Sequence, residues 1–366
     1  MVRARGVAAL VVLASVTRAR ADDATLNGLL RRADAVAHEV ARVRGLPLKH
    51  PVPNDVVGRD ELRARLLADL AKDKSAAELA AEGFASERWG LIPPGTDYQG
   101  LLVDLLTEQI AGYYDSDTKK LTISRSAGDD KAWAEMVLAH ELDHALQDQA
   151  YDLHRFEDLP DDEGDASLAR HALVEGDGIA LMLEVVAARA GDSINWADSK
   201  IPAMIEKGMS TPGPGTDKID RAPLAIRDSL IFPYRAGLGF VAALRHHQPW
   251  RAVDAAYARP PRSTEQVLHP EKYLADEAPV PVALAAPAAL PGFALSHATV
   301  WGELGFDLWL RSPGVADASA AQAMIAAHAE IETLAVADQK AIDALRKAGG
   351  ASALLVPVPL QRDDVH

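Results

Sequence analysis

The sequence predicts a mostly helical α+β fold that contains one small β-hairpin. Most of the chain places apolar residues three to four positions apart, the spacing that buries one face of a helix. Two short segments differ, because Gly112–Asp115 and Lys120–Ser124 have the composition of strands and flank the turn Ser116–Lys119. The chain contains no cysteine, so disulfide bonds cannot stabilise it and a hydrophobic core must do so.

The helices are predicted on both sides of this hairpin. Before it lie a helix over 26–44, two helices within 59–88 that are separated near Lys74, and a helix over 98–110. After it, three further helices are predicted over 132–149, 166–190 and about 232–247. We therefore expect one domain over 22–277, a Pro- and Ala-rich linker over 278–292, and a C-terminal helical subdomain over 293–366.

Residues 1–21 are predicted to be a secretory signal peptide. Arg3 and Arg5 precede an apolar run from Gly6 to Val16, and Ala19-Arg20-Ala21 supplies the small residues of a cleavage site. The run is too short to span a bilayer, and without cysteine no lipid can be attached after cleavage. We therefore expect an exported protein, periplasmic or secreted and without a stable membrane anchor. An amphipathic or disordered N-terminus is the alternative interpretation.

The acidic composition narrows the choice of partners. The formal net charge is −15, and it becomes more negative once the arginines of the leader are removed. Nucleic acids and anionic membranes are therefore not expected to bind. The composition does not predict an oligomeric state.

The most informative motif is His140-Glu141-Leu142-Asp143-His144, which lies inside the predicted helix over 132–149. Residues four positions apart lie on one face of a helix, so both imidazoles can reach one Zn²⁺. Glu141 follows about 100° further round, where it can act as a general base without binding the metal. The alternative is a core helix whose histidines are satisfied by neighbouring groups. Gln147 and Ala150 exclude the longer motif of the metzincins.

Glu175 is the predicted third ligand, because it stands in the middle of an apolar helix where an unpaired carboxylate would be costly. Gly176 and Gly178 beside it suggest the close approach of another helix. His171, one turn earlier, is the second choice as ligand, or it supports the ligands by a hydrogen bond. An ion pair with a buried arginine such as Arg170 is the alternative reading of Glu175.

Other residues are candidates for supporting roles. Asp177 or Asp148 could hold a ligand imidazole through its second ring nitrogen. Hydrolysis also requires a hydrogen-bond donor for the oxyanion that forms at the attacked carbonyl, and a histidine or tyrosine can supply it. The candidates, in order of preference, are His269, Tyr234, and the hairpin residues Tyr113 and Tyr114.

The order of these motifs resembles that of the gluzincin group of zinc metallopeptidases. The strings IAGYYDSDTKKLTIS, VLAHELDHALQDQAYDL, RHALVEGDG and STEQVLHPEKY further resemble a group of secreted bacterial gluzincin-like proteins. The resemblance implies a zincin-like catalytic domain with the hairpin above the motif helix. It also implies that His140, His144 and Glu175 bind zinc and that Glu141 is the base. Ile179 stands where the thermolysin pattern has an Asp that supports a zinc ligand.

The expected function is therefore zinc-dependent hydrolysis by an exported endopeptidase. Glu141 and zinc together would activate a water, which attacks a carbonyl of a peptide or protein substrate. Two alternatives remain open at this stage. The first is a non-catalytic binding or scaffold protein that zinc stabilises, and the second is a zinc hydrolase of non-peptide substrates.

Overall fold

A computed structural model describes residues 7–11, 28, 30–129, 131–157, 159–160, 163–198, 200, 217–246, 248–280 and 299–312. Within these residues the protein is mostly helical and carries one small β-sheet. The helices before the predicted hairpin are α1 (Ala33–Arg44), α2 (Arg59–Asp73), α3 (Ala76–Arg88) and α4 (Tyr98–Gln109). The helices after it are α5 (Lys131–Tyr151), α6 (His154–Glu157), α7 (Gly164–Arg189), α8 (Asp217–Arg221), α9 (Leu224–Arg245), α10 (Arg251–Ala258), α11 (Thr264–Leu268), α12 (Pro270–Leu274) and α13 (Glu303–Arg311).

The sheet has the strand order β1-β3-β4-β2. Its strands are β1 (Val7–Val11), β2 (Asn54–Val57), β3 (Ile110–Asp115) and β4 (Lys120–Ser124). Strand β3 pairs antiparallel with both β1 and β4, whereas β2 runs parallel to β4. The hairpin of β3 and β4 leads through a short 3₁₀ helix into α5, so the sheet is fixed against the start of that helix.

Local hydrogen bonds at the turn explain the hairpin that the sequence predicts. The Asp115 carboxylate accepts from the backbone N–H of Asp117 at 2.9 Å and from the Thr118 hydroxyl at 2.7 Å. Such Asx contacts favour a turn over continued strand. Lys119 then takes a positive φ of 55°, which returns the chain into β4.

Strand β1 overlaps the segment that the sequence predicts to be a signal peptide. Residues 7–11 add by backbone pairing to the outer edge of β3, with Ala9 opposite Tyr113. The other residues of the predicted leader lie outside the described part of the chain. Cleavage after Ala21 and export therefore stay predictions.

The break between α2 and α3 occurs where the sequence predicts it. Lys74 is extended, with ψ at 135°, and Ser75 caps α3. The Ser75 hydroxyl accepts from the backbone N–H of Glu78, whose carboxylate accepts from the backbone N–H of Ser75. This capping box gives the second helix its own start.

The start of α9 differs from the prediction. A helix was expected from about residue 232, but α9 begins at Leu224, directly after Pro223. Pro233 therefore lies inside the helix, where a proline costs about 3 kcal/mol because one hydrogen bond is lost. The buried side chains of Phe232, Tyr234 and Leu238 pack in the core, and this packing outweighs the loss.

Helix α5 is the centre of the molecule, since its residues from Val137 to Asp148 are all buried. Helix α7 packs against α5 on one side and against α9 on the other. The crossing of α7 and α9 is made by two glycines, because a Cβ on Gly176 would overlap the backbone of Gly237. The close approach predicted from Gly176 is therefore present, and its partner is α9.

Gly237→Ala is expected to destabilise the protein by at least about 3 kcal/mol, because the added methyl overlaps the backbone carbonyl of Ala172. Gly239→Ala, two residues further on the same helix, meets no atom within 4 Å. This control should gain up to about 1 kcal/mol of helix propensity. Urea unfolding of both variants measures the difference. Equal stability of the two variants would contradict the crossing.

The N-terminal and C-terminal elements are also anchored in the core. Arg44 at the end of α1 is fully buried and pairs with Asp177 of α7 through two hydrogen bonds of 2.9 and 3.0 Å. Asp165 at the start of α7 accepts from the backbone N–H and the hydroxyl of Thr264 in α11. The indole of Trp309 in α13 donates to the Trp89 carbonyl at 3.1 Å. Among the described helices, none combines the length and the hydropathy needed to cross a membrane.

Candidate metal centre

Helix α5 brings the two histidines of the motif together in the buried core. His140 and His144 are both 0 % exposed, and their Nε2 atoms are 2.9 Å apart. The rings meet edge to face, with centroids 4.5 Å apart. Both nitrogens therefore converge on one point, as the spacing of four residues predicts.

Glu175 of α7 completes the group. Its Oε2 lies 3.1 Å from Nε2 of His140 and 3.4 Å from Nε2 of His144. Zinc ligands at about 2.0–2.2 Å in tetrahedral directions stand about 3.3 Å apart, so the three atoms fit this ion. Among the described residues, these three are the group whose donor atoms are close enough to hold a metal.

The protonation of the cluster also fits a cation. Burial lowers the pKa of His140, whereas at His144 the carboxylates of Glu175 and Glu141 outweigh burial and raise the pKa. Burial opposes the ionisation of Glu175, but the three neighbouring imidazoles prevail and hold its pKa well below the usual range. The carboxylates of Glu175 and Glu141 therefore favour a positive charge where the three atoms converge, which a proton on His144 or a metal cation can supply.

Two glycines make room for the site. A Cβ on Gly178 would lie 2.7 and 2.8 Å from Cε1 and Nδ1 of His140, so only glycine lets α7 approach this ring. A Cβ on Gly112 of β3 would lie 2.9 Å from Val137 and 3.2 Å from Cγ of Glu141. The strand therefore passes directly over the predicted base.

Glu141 is placed as a general base would be. It follows His140 on α5, is 0 % exposed, and has its side chain under Gly112 of β3. Its carboxylate does not belong to the three-atom metal group. The side chain is therefore close to the metal group without belonging to it.

The second oxygen of Glu175 has its own partners. Oε1 lies 2.9 Å from Nε2 of His171 and 3.3 Å from the hydroxyl of Tyr234. His171 therefore supports Glu175 instead of joining the metal group, which corresponds to the second role predicted for it. Tyr234, a predicted oxyanion-stabilising group, contacts the same carboxylate and lies with its ring centroid 6.5 Å from that of His140.

Gln147 holds His144, a role that sequence analysis missed. Its Oε1 lies 2.9 Å from Nδ1 of His144, and its amide nitrogen donates to Asp143 at 2.8 Å and to the Val174 carbonyl at 3.2 Å. Because Asp143 and the Val174 carbonyl both accept hydrogen bonds, the amide nitrogen of Gln147 must face them and its oxygen must face His144. Nδ1 of His144 must then donate to Gln147, so Nε2 is the nitrogen that faces the metal group. The signal was local, because Gln147 follows His144 by three residues on the helix.

The two acids that were predicted to hold an imidazole have other partners, so this prediction needs correction. Asp177 accepts from Arg44 and, at 2.9 Å, from the hydroxyl of Tyr257. Asp148 accepts from the hydroxyl of Tyr114 at 2.7 Å and from Lys119 at 2.7 Å. Gln147, and neither of these two acids, is the residue that contacts Nδ1 of His144.

His269 and the hairpin tyrosines also contact other groups. His269 lies at the end of α11, where its Nε2 is 3.0 Å from a carboxylate oxygen of Glu303. Helix α11 is tied to Asp165, ten residues before Glu175 and hence about 15 Å away along α7. Tyr113 accepts a long hydrogen bond from Arg65 on the other face of the sheet. Of the predicted oxyanion-stabilising residues, the structure brings only Tyr234 into contact with the metal group.

An ion pair between Glu175 and Arg170 was the alternative explanation for the buried carboxylate. Arg170 instead donates to the backbone carbonyl of Arg155 at 3.0 Å. The partners of Glu175 are imidazoles and a phenol.

Comparisons of this chain with protein-family models, with curated proteins and with solved structures returned no match. The proposals below therefore depend on the residues and their geometry.

Proposed function

We propose that this protein is a zinc-dependent hydrolase of the gluzincin type and that it cleaves peptide bonds. The observation that carries the proposal is the convergence of His140, His144 and Glu175 within the core, with Glu141 beside them. Two histidines, a carboxylate and an adjacent glutamate are the set that a catalytic zinc hydrolase requires.

Each residue of the proposed site has its own role in the reaction. A bound zinc would supply Lewis acidity and would lower the pKa of water. Glu141 accepts the proton of the attacking water and afterwards delivers it to the leaving amine. Gln147 keeps Nε2 of His144 available, and the low pKa of Glu175 keeps this side chain ionised and ready to coordinate.

The choice of a peptide as substrate is supported by strand β3. Gly112 places the backbone of β3 directly over Glu141, and residues 7–11 pair antiparallel along the outer edge of the strand. An extended backbone therefore fits that edge. If the leader is removed as proposed, a substrate peptide can add there by main-chain hydrogen bonds. The proposed location of the protein is outside the cytoplasm, in the periplasm or the medium.

A substrate panel tests this proposal. The purified protein is assayed against a denatured protein mixture, a mixed peptide library and simple esters, before and after removal of metal by chelation. Cleavage of peptides that chelation abolishes and one equivalent of zinc restores is the expected result. Cleavage of esters alone would replace the peptidase by a zinc hydrolase of other substrates.

The complete burial of the three ligands favours a second candidate, a closed structural zinc site. Each of them is 0 % exposed, whereas a catalytic site must admit substrate. A structural site, however, has no use for a buried carboxylate at position 141, which is costly to keep in the interior. Zinc binding without any hydrolysis in the substrate panel would support this candidate.

A further inference from the structure

The two carboxylate oxygens of Glu175 are used in different ways. Oε2 faces the Nε2 atoms of His140 and His144, at 3.1 and 3.4 Å. Oε1 points to the opposite side, where it meets Nε2 of His171 at 2.9 Å and the Tyr234 hydroxyl at 3.3 Å. The carboxylate thus has one oxygen for a metal and one oxygen for hydrogen-bond donors.

The different partners of the two Glu175 oxygens decide how many coordination positions of a bound metal remain open. A carboxylate binds a cation through one oxygen or through both. Two imidazoles and one carboxylate oxygen leave the fourth position of a tetrahedral zinc for water or substrate, as hydrolysis requires. If Oε1 also bound, it would compete for that position.

We propose that His171 and Tyr234 are positioning residues that hold Oε1 of Glu175 away from the metal and so keep one coordination position open. The proposal rests on the proposed zinc site and adds to it the device that makes the site catalytic rather than closed. Neither residue supplies a donor atom to the metal group.

The two donors reach the same oxygen from independent elements. His171 precedes Glu175 by four residues, so helix geometry alone places it on the same face of α7. Tyr234 comes from α9, which can reach Glu175 because Gly176 and Gly237 let the two backbones approach closely. The hydrogen bond from Tyr234 to Glu175 therefore depends on the close crossing of α7 and α9 at these two glycines.

The two donors also differ in their contact with solvent. The His171 side chain is 43 % exposed, whereas Tyr234 is 3 % exposed and Glu175 is fully buried. His171 thus forms a link from the buried carboxylate to the surface.

Cobalt spectroscopy tests the proposal without an activity assay. The protein loaded with one equivalent of Co²⁺ is titrated with azide, a small anion that binds an open metal position. Four-coordinate Co²⁺ absorbs visible light more strongly than five- or six-coordinate Co²⁺, so the spectrum reports the coordination number. The wild-type protein is expected to show the strong bands and a saturable change with azide.

The variants remove the donors one at a time and together. Tyr234→Phe keeps the ring and loses the hydroxyl, His171→Leu loses the donor, and His171→Gln retains one. In the double variant His171→Leu/Tyr234→Phe, Oε1 can take the open position, so azide affinity should fall by about tenfold, an effect of the size that the loss of a supporting residue has on metal sites. Each single variant should lie between this variant and the wild type, with His171→Gln nearest to the wild type.

Tyr257→Phe is the matched control, because it removes a buried hydroxyl that donates to Asp177 and not to Glu175. Its spectrum and azide affinity should equal those of the wild type. Unchanged azide affinity in every His171 and Tyr234 variant that retains Co²⁺ would overturn the proposal. Failure of the wild-type protein to bind Co²⁺ or Zn²⁺ would instead overturn the metal site itself.

Discussion

Glu141→Gln is expected to lower the rate of hydrolysis by about 10²–10⁴-fold, the usual contribution of a general base. The amide has the size of the carboxylate, so packing under Gly112 is retained. It cannot accept a proton from water, and this loss removes the step assigned to Glu141. Because Glu141 is not one of the three metal-binding residues, zinc should stay bound at one per chain.

The measurement is kcat on the best peptide of the substrate panel, together with the zinc content of the same sample. Glu135→Gln is the matched control, since Glu135 stands on the same helix and forms surface ion pairs with Arg32 and Arg189. It should retain the wild-type rate. A Glu141→Gln variant as active as the wild type would refute the proposed mechanism.

Glu175→Gln is expected to weaken zinc binding by more than about 100-fold, whereas His171→Leu should weaken it by only about 10–100-fold. The first change removes the negative charge of the ligand and replaces one carboxylate oxygen by an amide nitrogen. The second removes a group that supports a ligand, and such groups contribute that smaller factor. The carboxylate oxygen Oε2 lies among the imidazole nitrogens, while His171 contacts Oε1 on the other side.

Competition with a chelator of known affinity measures both values. His154→Ala serves as the control for the loss of a histidine, because His154 lies near Asp117 and not in the metal group. Its zinc affinity should not change. If His171→Leu lost more affinity than Glu175→Gln, the third ligand would be His171.

Local spacing explains which site residues could be predicted. The positions of His140, Glu141 and His144 follow from helix periodicity, and the structure places these residues as expected. Glu175 was predicted from a different signal, an acid inside an apolar helix beside two glycines. Both glycines prove to allow close contacts, one with α9 and one with His140.

Long-range pairing explains what could not be predicted. Asp177 follows Glu175 by two residues, about 200° around α7, so it faces away from the metal group. It is taken by Arg44, which lies 133 residues earlier in the chain. No pattern in the sequence shows which distant arginine reaches a given carboxylate, or that Tyr234 reaches Glu175.

The helices and strands show the same contrast between features set by local sequence and features set by long-range packing. The hairpin and the break at Lys74 are local features, because Asx and capping residues act on their immediate neighbours. The start of α9 was placed too late, since the structure continues the helix through Pro233 back to Leu224. Only the packing of α9 against α7 shows that this proline is tolerated in the interior of the helix.

The metal content of the purified protein tests the central claim most directly. Elemental mass spectrometry after exhaustive dialysis should find about one zinc per chain in the wild type and none in His140→Ala, with both proteins folded by circular dichroism. A folded wild-type protein that holds no metal would contradict the account. The His-Glu-x-x-His helix would then be an ordinary core helix, and the proposed hydrolase would fall with the site.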